Sequence, residues 1–139
     1  MTAVPSIPFF NYPALFKKDE SKLMEVLRDV LSRGAFILQR DLREFEDALK
    51  EYLGVRHAFG VADGTNAMII GLKAMGIGPG DEVIVPSHTY IATAAAVHLV
   101  GATPVLADTG PDHMVDPASI EKKITERTVA VMPVQLNGR

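Results

Sequence analysis

The 139-residue sequence is long enough for one domain and too short for two of ordinary size. Its formal net charge of −3, with both signs mixed along the chain, argues against nucleic-acid binding. The absence of cysteine excludes disulfides and thiolate metal sites, and no apolar run reaches the roughly 18 residues of a membrane span. The N-terminus lacks a signal-peptide pattern, so we expect a cytoplasmic protein without a membrane partner.

Prolines and two amphipathic segments characterise the start of the chain. Three prolines within the first 13 residues predict an extended arm. Apolar residues at helical spacing then predict helices over residues 21–33 and 41–53, each followed by a glycine. We therefore expect residues 1–54 to form an N-terminal arm with two helices, and residues 55–139 to form the first, incomplete part of a second domain.

From residue 55 onward, short apolar runs alternate with helical segments. The sequence predicts strands at 58–61, 82–85, 104–107 and 128–134, and helices at 65–75, 91–100 and 117–124. Strands that alternate with helices are typical of parallel sheets, and strands that are nearly all apolar are typical of sheets covered on both faces. The predicted fold class is α/β, with a mostly parallel sheet and helices on both faces.

Two loops of this predicted sheet carry groups that suit a phosphorylated aromatic ligand. Asp63, Gly64 and Thr65 precede a helix, whose first N–H groups suit a phosphate. After the next strand, Tyr90 could cover a flat ring and His88 could exchange a proton. Both loops follow the carboxyl ends of strands, where ligands bind in open α/β sheets.

Each loop also has an ordinary structural explanation. Asp63 and Thr65 belong to the residue types that cap helices in many proteins. Tyr90 would suit a core position, and His88 would suit an exposed loop. The residues alone leave both explanations open for each loop.

Two other polar or glycine-rich segments are not assigned a site. The glycines of residues 76–80 follow a helix and precede a strand, which is the reverse of a dinucleotide-binding loop, so they predict a turn. The acidic residues and His113 within residues 108–116 fit no standard zinc or calcium spacing. No metal site is predicted.

Taken in order, the motifs of this chain resemble the DegT/StrS-like family of sugar aminotransferases, which are pyridoxal-phosphate (PLP) enzymes of fold type I. The resemblance runs from about residue 7 to residue 139. The segments that carry it are GAFIL at 34–38, ADGTNA at 62–67, GPGDEVI at 78–84, PSHTYIAT at 86–93, GATPV at 101–105 and PVQLNG at 133–138.

The resemblance implies a function and a set of site residues. Gly64 and Thr65, next to Asp63, match positions that hold the PLP phosphate; Tyr90 matches the aromatic that stacks on the pyridine ring, with His88 beside it. The implied reaction transfers an amino group from an amino acid such as glutamate to a keto group of a nucleotide-linked sugar, in a homodimer. The sequence at 87–90 is more similar to enzymes for dTDP-linked 3-keto sugars than to those for 4-keto sugars.

The chain also departs from the family pattern. Gln135 and Asn137 stand where the family often has His and Tyr. The family's Schiff-base lysine and its pyridinium aspartate lie beyond residue 139, so no catalytic residue is assigned and we expect the 139 residues alone to be inactive. A PLP-dependent sugar dehydratase of the same family and a non-catalytic binding remnant are the alternatives.

Overall fold

The computed structural model describes residues 8–34 and 37–138. The chain divides into two compact units, Met1–Gly60 and Val61–Arg139. The boundary that the sequence predicted between residues 54 and 55 refers to domains of the whole protein, and it stays a prediction.

The first unit contains helix α1 (Tyr12–Ser32) and helix α2 (Arg40–Leu53). The extended arm is wrong for residues 12–20, because α1 begins at Tyr12 rather than at residue 21. Pro13 occupies the first helical turn, where its missing N–H has no intrahelical role, and the Asn11 side chain accepts a hydrogen bond from the Ala14 N–H at 3.2 Å. Residues 1–7 of the expected arm lie outside the described residues.

The segment after α2 does not form the strand predicted at 58–61. Gly54 ends α2 in the left-handed conformation, with φ 66°, as its position after the helix led us to expect. Further along, the Gly60 N–H donates a hydrogen bond to Glu46 Oε1 of α2 at 2.7 Å. In the described chain, residues 58–61 pair with no strand, so their apolar pattern produces no sheet.

The second unit is an α/β arrangement. Its elements in chain order are α3 (Gly64–Ala74), β1 (Glu82–Pro86), α4 (Ala92–Leu99), β2 (Thr103–Ala107), α5 (Pro117–Lys123), β3 (Thr128–Val131) and a short 3-10 turn (Leu136–Gly138). The three strands form a parallel sheet in the order β2-β1-β3. β3 ends before the predicted residue 134 because Pro133 has no N–H to extend the ladder.

The core of the second unit is built around β1, every residue of which is buried. Val83 and Val85 pack in one cluster with Ala96 and Val97 of α4. Ile84 points to the opposite face by strand alternation and is fully buried as well.

The two crossover connections of the sheet run in opposite directions. The chain passes from β1 through α4 to β2 on one side, then through α5 to β3 on the other side of β1. Parallel strands are connected by right-handed crossovers. Because one crossover moves from β1 to β2 and the next moves back past β1 to β3, α4 and α5 lie on opposite faces of the sheet. The predicted parallel α/β class is confirmed. Among the described residues, no helix is both long and apolar enough to cross a membrane.

Candidate cofactor site

The first turn of α3 is organised by Asp63. Its carboxylate accepts hydrogen bonds from the Asn66 backbone N–H at 2.8 Å and from the Asn66 side-chain amide at 2.9 Å. Its carbonyl accepts the Ala67 N–H at 3.0 Å, which is the first bond of the helix. The capping role open to Asp63 from the sequence is therefore present in the structure.

These hydrogen bonds define which donors a phosphate could use. The bonds from Asn66, with a smaller contribution from the Thr65 N–H, lower the pKa of Asp63 below its usual range, so Asp63 is charged at neutral pH. The Asn66 N–H is already used. The Gly64 N–H and the Thr65 hydroxyl are the donors at this helix end that suit a phosphate, and the helix dipole adds to their attraction.

The space above Gly64 is open. A methyl group added at this position would meet no atom within 4 Å, and Gly64 does not have a positive φ. Glycine is therefore not required here by the packing or by the backbone of the described chain. A phosphate can approach the backbone closely at this point, and the donor set fits such a group.

The second loop follows β1. The Ser87 N–H donates to the Ala107 carbonyl at 2.8 Å, and the hydroxyls of Thr89 and Thr93 lie 3.0 Å apart. Between these anchors, the Tyr90 side chain is exposed, with 76% of its surface accessible. The core position considered for Tyr90 is wrong, and its ring is accessible for stacking.

His88 is exposed and meets a second histidine. Its ring lies edge-to-face with that of His113, with 6.3 Å between the ring centroids. His113 belongs to the loop after β2 and has a left-handed backbone, with φ 65°. The sequence placed it only in an unassigned polar segment, because the contact arises from the pairing of β1 with β2. The structure thus adds His113 to the surroundings of His88.

Both predicted loops lie at the same end of the sheet. α3 leads by the connection of residues 75–81 into β1 and packs on α4, and its Leu72 belongs to the same apolar cluster as Val83 of β1. An 11-residue helix and a five-residue strand are each about 16 Å long, so the N-terminus of α3 faces the carboxyl end of β1. Asp63, Gly64 and Thr65 are therefore at the end where Tyr90 lies.

The sheet order places a topological switch point beside β1. The chain leaves β1 toward β2 and later returns to β3 on the other side, and ligands bind outside the carboxyl ends of strands at such a point. Gln135 and Asn137 follow β3 at this end, and Asn137 is left-handed with φ 56°. In the described parts of the chain, no three His, Asp or Glu side chains are placed to hold a metal ion.

Comparison with known proteins decides the family. The family model of the DegT/DnrJ/EryC1/StrS aminotransferases matches residues 17–139. The chain belongs to this family. The match confirms the resemblance read from the sequence motifs and extends from Lys17 in α1 through the second unit.

Two relatives show how far the similarity extends. The chain is 43% identical over 135 residues to dTDP-3-amino-3,4,6-trideoxy-alpha-D-glucose transaminase of Streptomyces venezuelae, covering 96% of this chain and 36% of that protein. It is 52% identical over 111 residues to GDP-perosamine synthase of Caulobacter vibrioides, covering 79% of this chain and 29% of that protein. The chain thus spans about a third of the length of these family members.

A solved structure supports the fold assignment. The crystal structure of ntda from Bacillus subtilis with bound cofactor PMP matches with a TM-score of 0.90 and 37% sequence identity, over 99% of this chain and 32% of that chain. The described chain therefore has the architecture of about a third of a family member that was solved with PMP.

Proposed function

We propose that this chain is part of a PLP-dependent aminotransferase that transfers an amino group from an amino acid, glutamate above all, to a keto group of a nucleotide-linked sugar. Family membership and the transaminase from Streptomyces venezuelae support this reaction. The observation that carries the proposal is the open N-terminus of α3 at Gly64, at the sheet end that also presents the exposed ring of Tyr90.

In this proposal the described residues bind and orient the cofactor. The Gly64 N–H and the Thr65 hydroxyl hold the phosphate, while Asp63 holds the helix turn that presents them. Tyr90 covers one face of the ring, with His88 next to it. Bound PLP supplies an electron sink for amino transfer.

The catalytic lysine is not assigned within this chain. All seven lysines lie on helices, none on a loop at the carboxyl end of a strand; they are Lys17, Lys18, Lys22, Lys50, Lys73, Lys122 and Lys123. Lys73 is on α3 but in its last turn, at the opposite end from Gly64. The 139 residues are therefore proposed to bind the cofactor without catalysing transfer.

The proposal also covers the substrate nucleotide, the assembly and the location. A dTDP-linked 3-keto sugar is favoured by the sequence at 87–90 and by the dTDP-sugar relative. A homodimer agrees with the exposed apolar residues of α1, among them Leu23, Leu27 and Leu31. The cytoplasmic location expected from the sequence is retained.

The test compares two glycines of the same helix. Gly64→Ala and Gly71→Ala each add a methyl group to open space on α3, and neither residue has a positive φ. We expect Gly64→Ala to weaken PLP binding about tenfold or more, because the added methyl group would keep the phosphate from reaching the N–H of residue 64, and a lost hydrogen bond to a charged group has that order of effect. Gly71→Ala should leave PLP binding unchanged. Equilibrium dialysis with PLP measures both affinities.

Two outcomes would contradict the proposal. Equal PLP affinity of Gly64→Ala and the unmodified chain would contradict the assignment of the phosphate site to Gly64. If no variant bound PLP, the non-catalytic alternative would be favoured. Turnover is assayed with PLP, L-glutamate and a dTDP-linked 3-keto sugar. Amino-sugar formation by the 139 residues alone would show that a catalyst lies among them.

A further inference from the structure

A buried carboxylate at the other end of the sheet has no part in the proposed reaction. Glu82 begins β1, and only 7% of its side chain is accessible. Its Oε2 accepts a hydrogen bond from the Thr125 hydroxyl at 2.6 Å, and its Oε1 accepts one from Arg127 Nε at 2.9 Å and another from Arg127 Nη2. All three of these hydrogen bonds come from the turn before β3.

That turn is fixed internally and to the main chain of β1. The Thr125 N–H donates to the Thr128 hydroxyl at 2.9 Å, and the Arg127 N–H donates to the Thr125 hydroxyl at 3.1 Å. The Glu82 N–H donates to the Arg127 carbonyl at 2.8 Å. Residues 125–128 therefore form one hydrogen-bonded unit, the β3 turn, which Glu82 holds through both its backbone and its side chain.

The register of β3 is irregular at the point where Glu82 acts. Glu82 pairs with Thr128, but the next residue, Val83, pairs with Ala130, so Val129 is an extra residue. The pairing of β1 with β3 therefore changes by one residue immediately after Glu82. A shift by one residue would exchange the two faces of β3.

Apolar burial alone does not distinguish the observed register from its neighbour. Thr128 and Ala130 are half-buried, whereas Val129 and Val131 remain 51% and 42% exposed. A one-residue shift would place the two valines on the face that now carries Thr128 and Ala130, but it would also turn Ala130 and Met132 away from the core cluster against which they pack. Both alignments would therefore bury apolar side chains, and the contacts of Glu82 with the β3 turn are the polar interactions that distinguish them.

We propose that Glu82, through Thr125 and Arg127, is the positioning residue that sets the register of β3 on β1. Glu82 thereby also sets the position, along the strand direction, of the loop that follows β3 at the carboxyl end of the sheet. A shift of one residue would move Gln135 and Asn137 by about 3.3 Å along the strand. The inference concerns the fold and does not depend on PLP binding.

The test measures amide hydrogen exchange in the two ladders of β1. The Met132 N–H donates to the Ile84 carbonyl at 2.9 Å and reports on β3, while the Ser87 N–H donates to the Ala107 carbonyl at 2.8 Å and reports on β2. In Glu82→Gln we expect protection of Met132 to fall about tenfold or more relative to that of Ser87, since hydrogen bonds to a charged group are lost.

Control variants separate register from general stability. Thr125→Ser keeps the hydroxyl and should retain unmodified protection, whereas Thr125→Val should show the selective loss even where Glu82→Gln fails to fold. Glu126→Gln changes an exposed neighbouring charge and should have no effect. Parallel loss at Met132 and Ser87, or persistence of the Val83–Ala130 nuclear Overhauser contact in Thr125→Val, would overturn the proposal.

Discussion

The two compact units of this chain differ in what their apolar residues contact. No residue of α1 or α2 is buried, although α1 carries leucines on one stripe, whereas every residue of β1 is buried. The helices of the first unit follow local signals such as the Asn11 cap and the glycine after α2. The sheet of the second unit depends on partners distant in sequence, so only there does packing dominate.

The largest expected effect is a loss of stability in the second unit, and it tests whether packing differs between the two units. Ile84→Ala removes a fully buried side chain from β1 and should lower the free energy of unfolding by about 2–5 kcal/mol. Tyr52→Ala removes a side chain of α2 that is 86% exposed and should change it by less than about 0.5 kcal/mol. Urea unfolding followed by circular dichroism measures both, and similar losses would show that α2 is packed as tightly as β1.

A smaller effect tests whether local rules decide the helices of both units. Gly54 is left-handed, so Gly54→Ala should destabilise α2 by about 1–2 kcal/mol. Gly71 lies inside α3 without a positive φ, so Gly71→Ala should stabilise by about 0.5–1 kcal/mol. Thermal unfolding of the two variants should shift in opposite directions. Shifts of the same sign would mean that packing, not backbone conformation, governs these positions.

The smallest expected effect is the pH dependence of β3 protection, which should appear only in acid. Hydrogen bonds from Thr125 and Arg127 lower the pKa of Glu82 below its usual range. A carboxylate with a lowered pKa in the folded state stabilises fully above its ordinary pKa, and this contribution is lost as the pH falls through the lowered value. Protection of Met132 should therefore fall in acid before that of Ser87. In Glu82→Gln this difference in pH dependence should vanish, and its persistence would assign the titration to another group.

The sequence predicted helices and strands best where the residues that determine them are adjacent in the chain. The strand predicted at 82–85 from its apolar residues 83–85 and the alanine-rich helix predicted at 91–100 matched β1 and α4 within a residue or two. The start of α1 was missed because Pro13 fits both an arm and a first helical turn. The strand at 58–61 was wrong because apolar character does not provide a pairing partner.

The same distinction applies to the candidate site. Asp63, Gly64 and Thr65 are adjacent in sequence, so their common helix turn could be predicted. The neighbourhood of His88 and His113 could not, since it depends on strand pairing and on a left-handed backbone at His113. The roles of these residues toward PLP stay predictions that the Gly64→Ala comparison tests.

The cap at Asp63 has a consequence for ligand binding. Its bonds to Asn66 keep the first turn of α3 folded when no anion is present. In the proposed site, an arriving phosphate would therefore meet donors that are already in place, and binding would cost little conformational entropy. The same carboxylate would repel a dianion, so Asp63 would both preorganise the proposed site and limit its affinity for a phosphate.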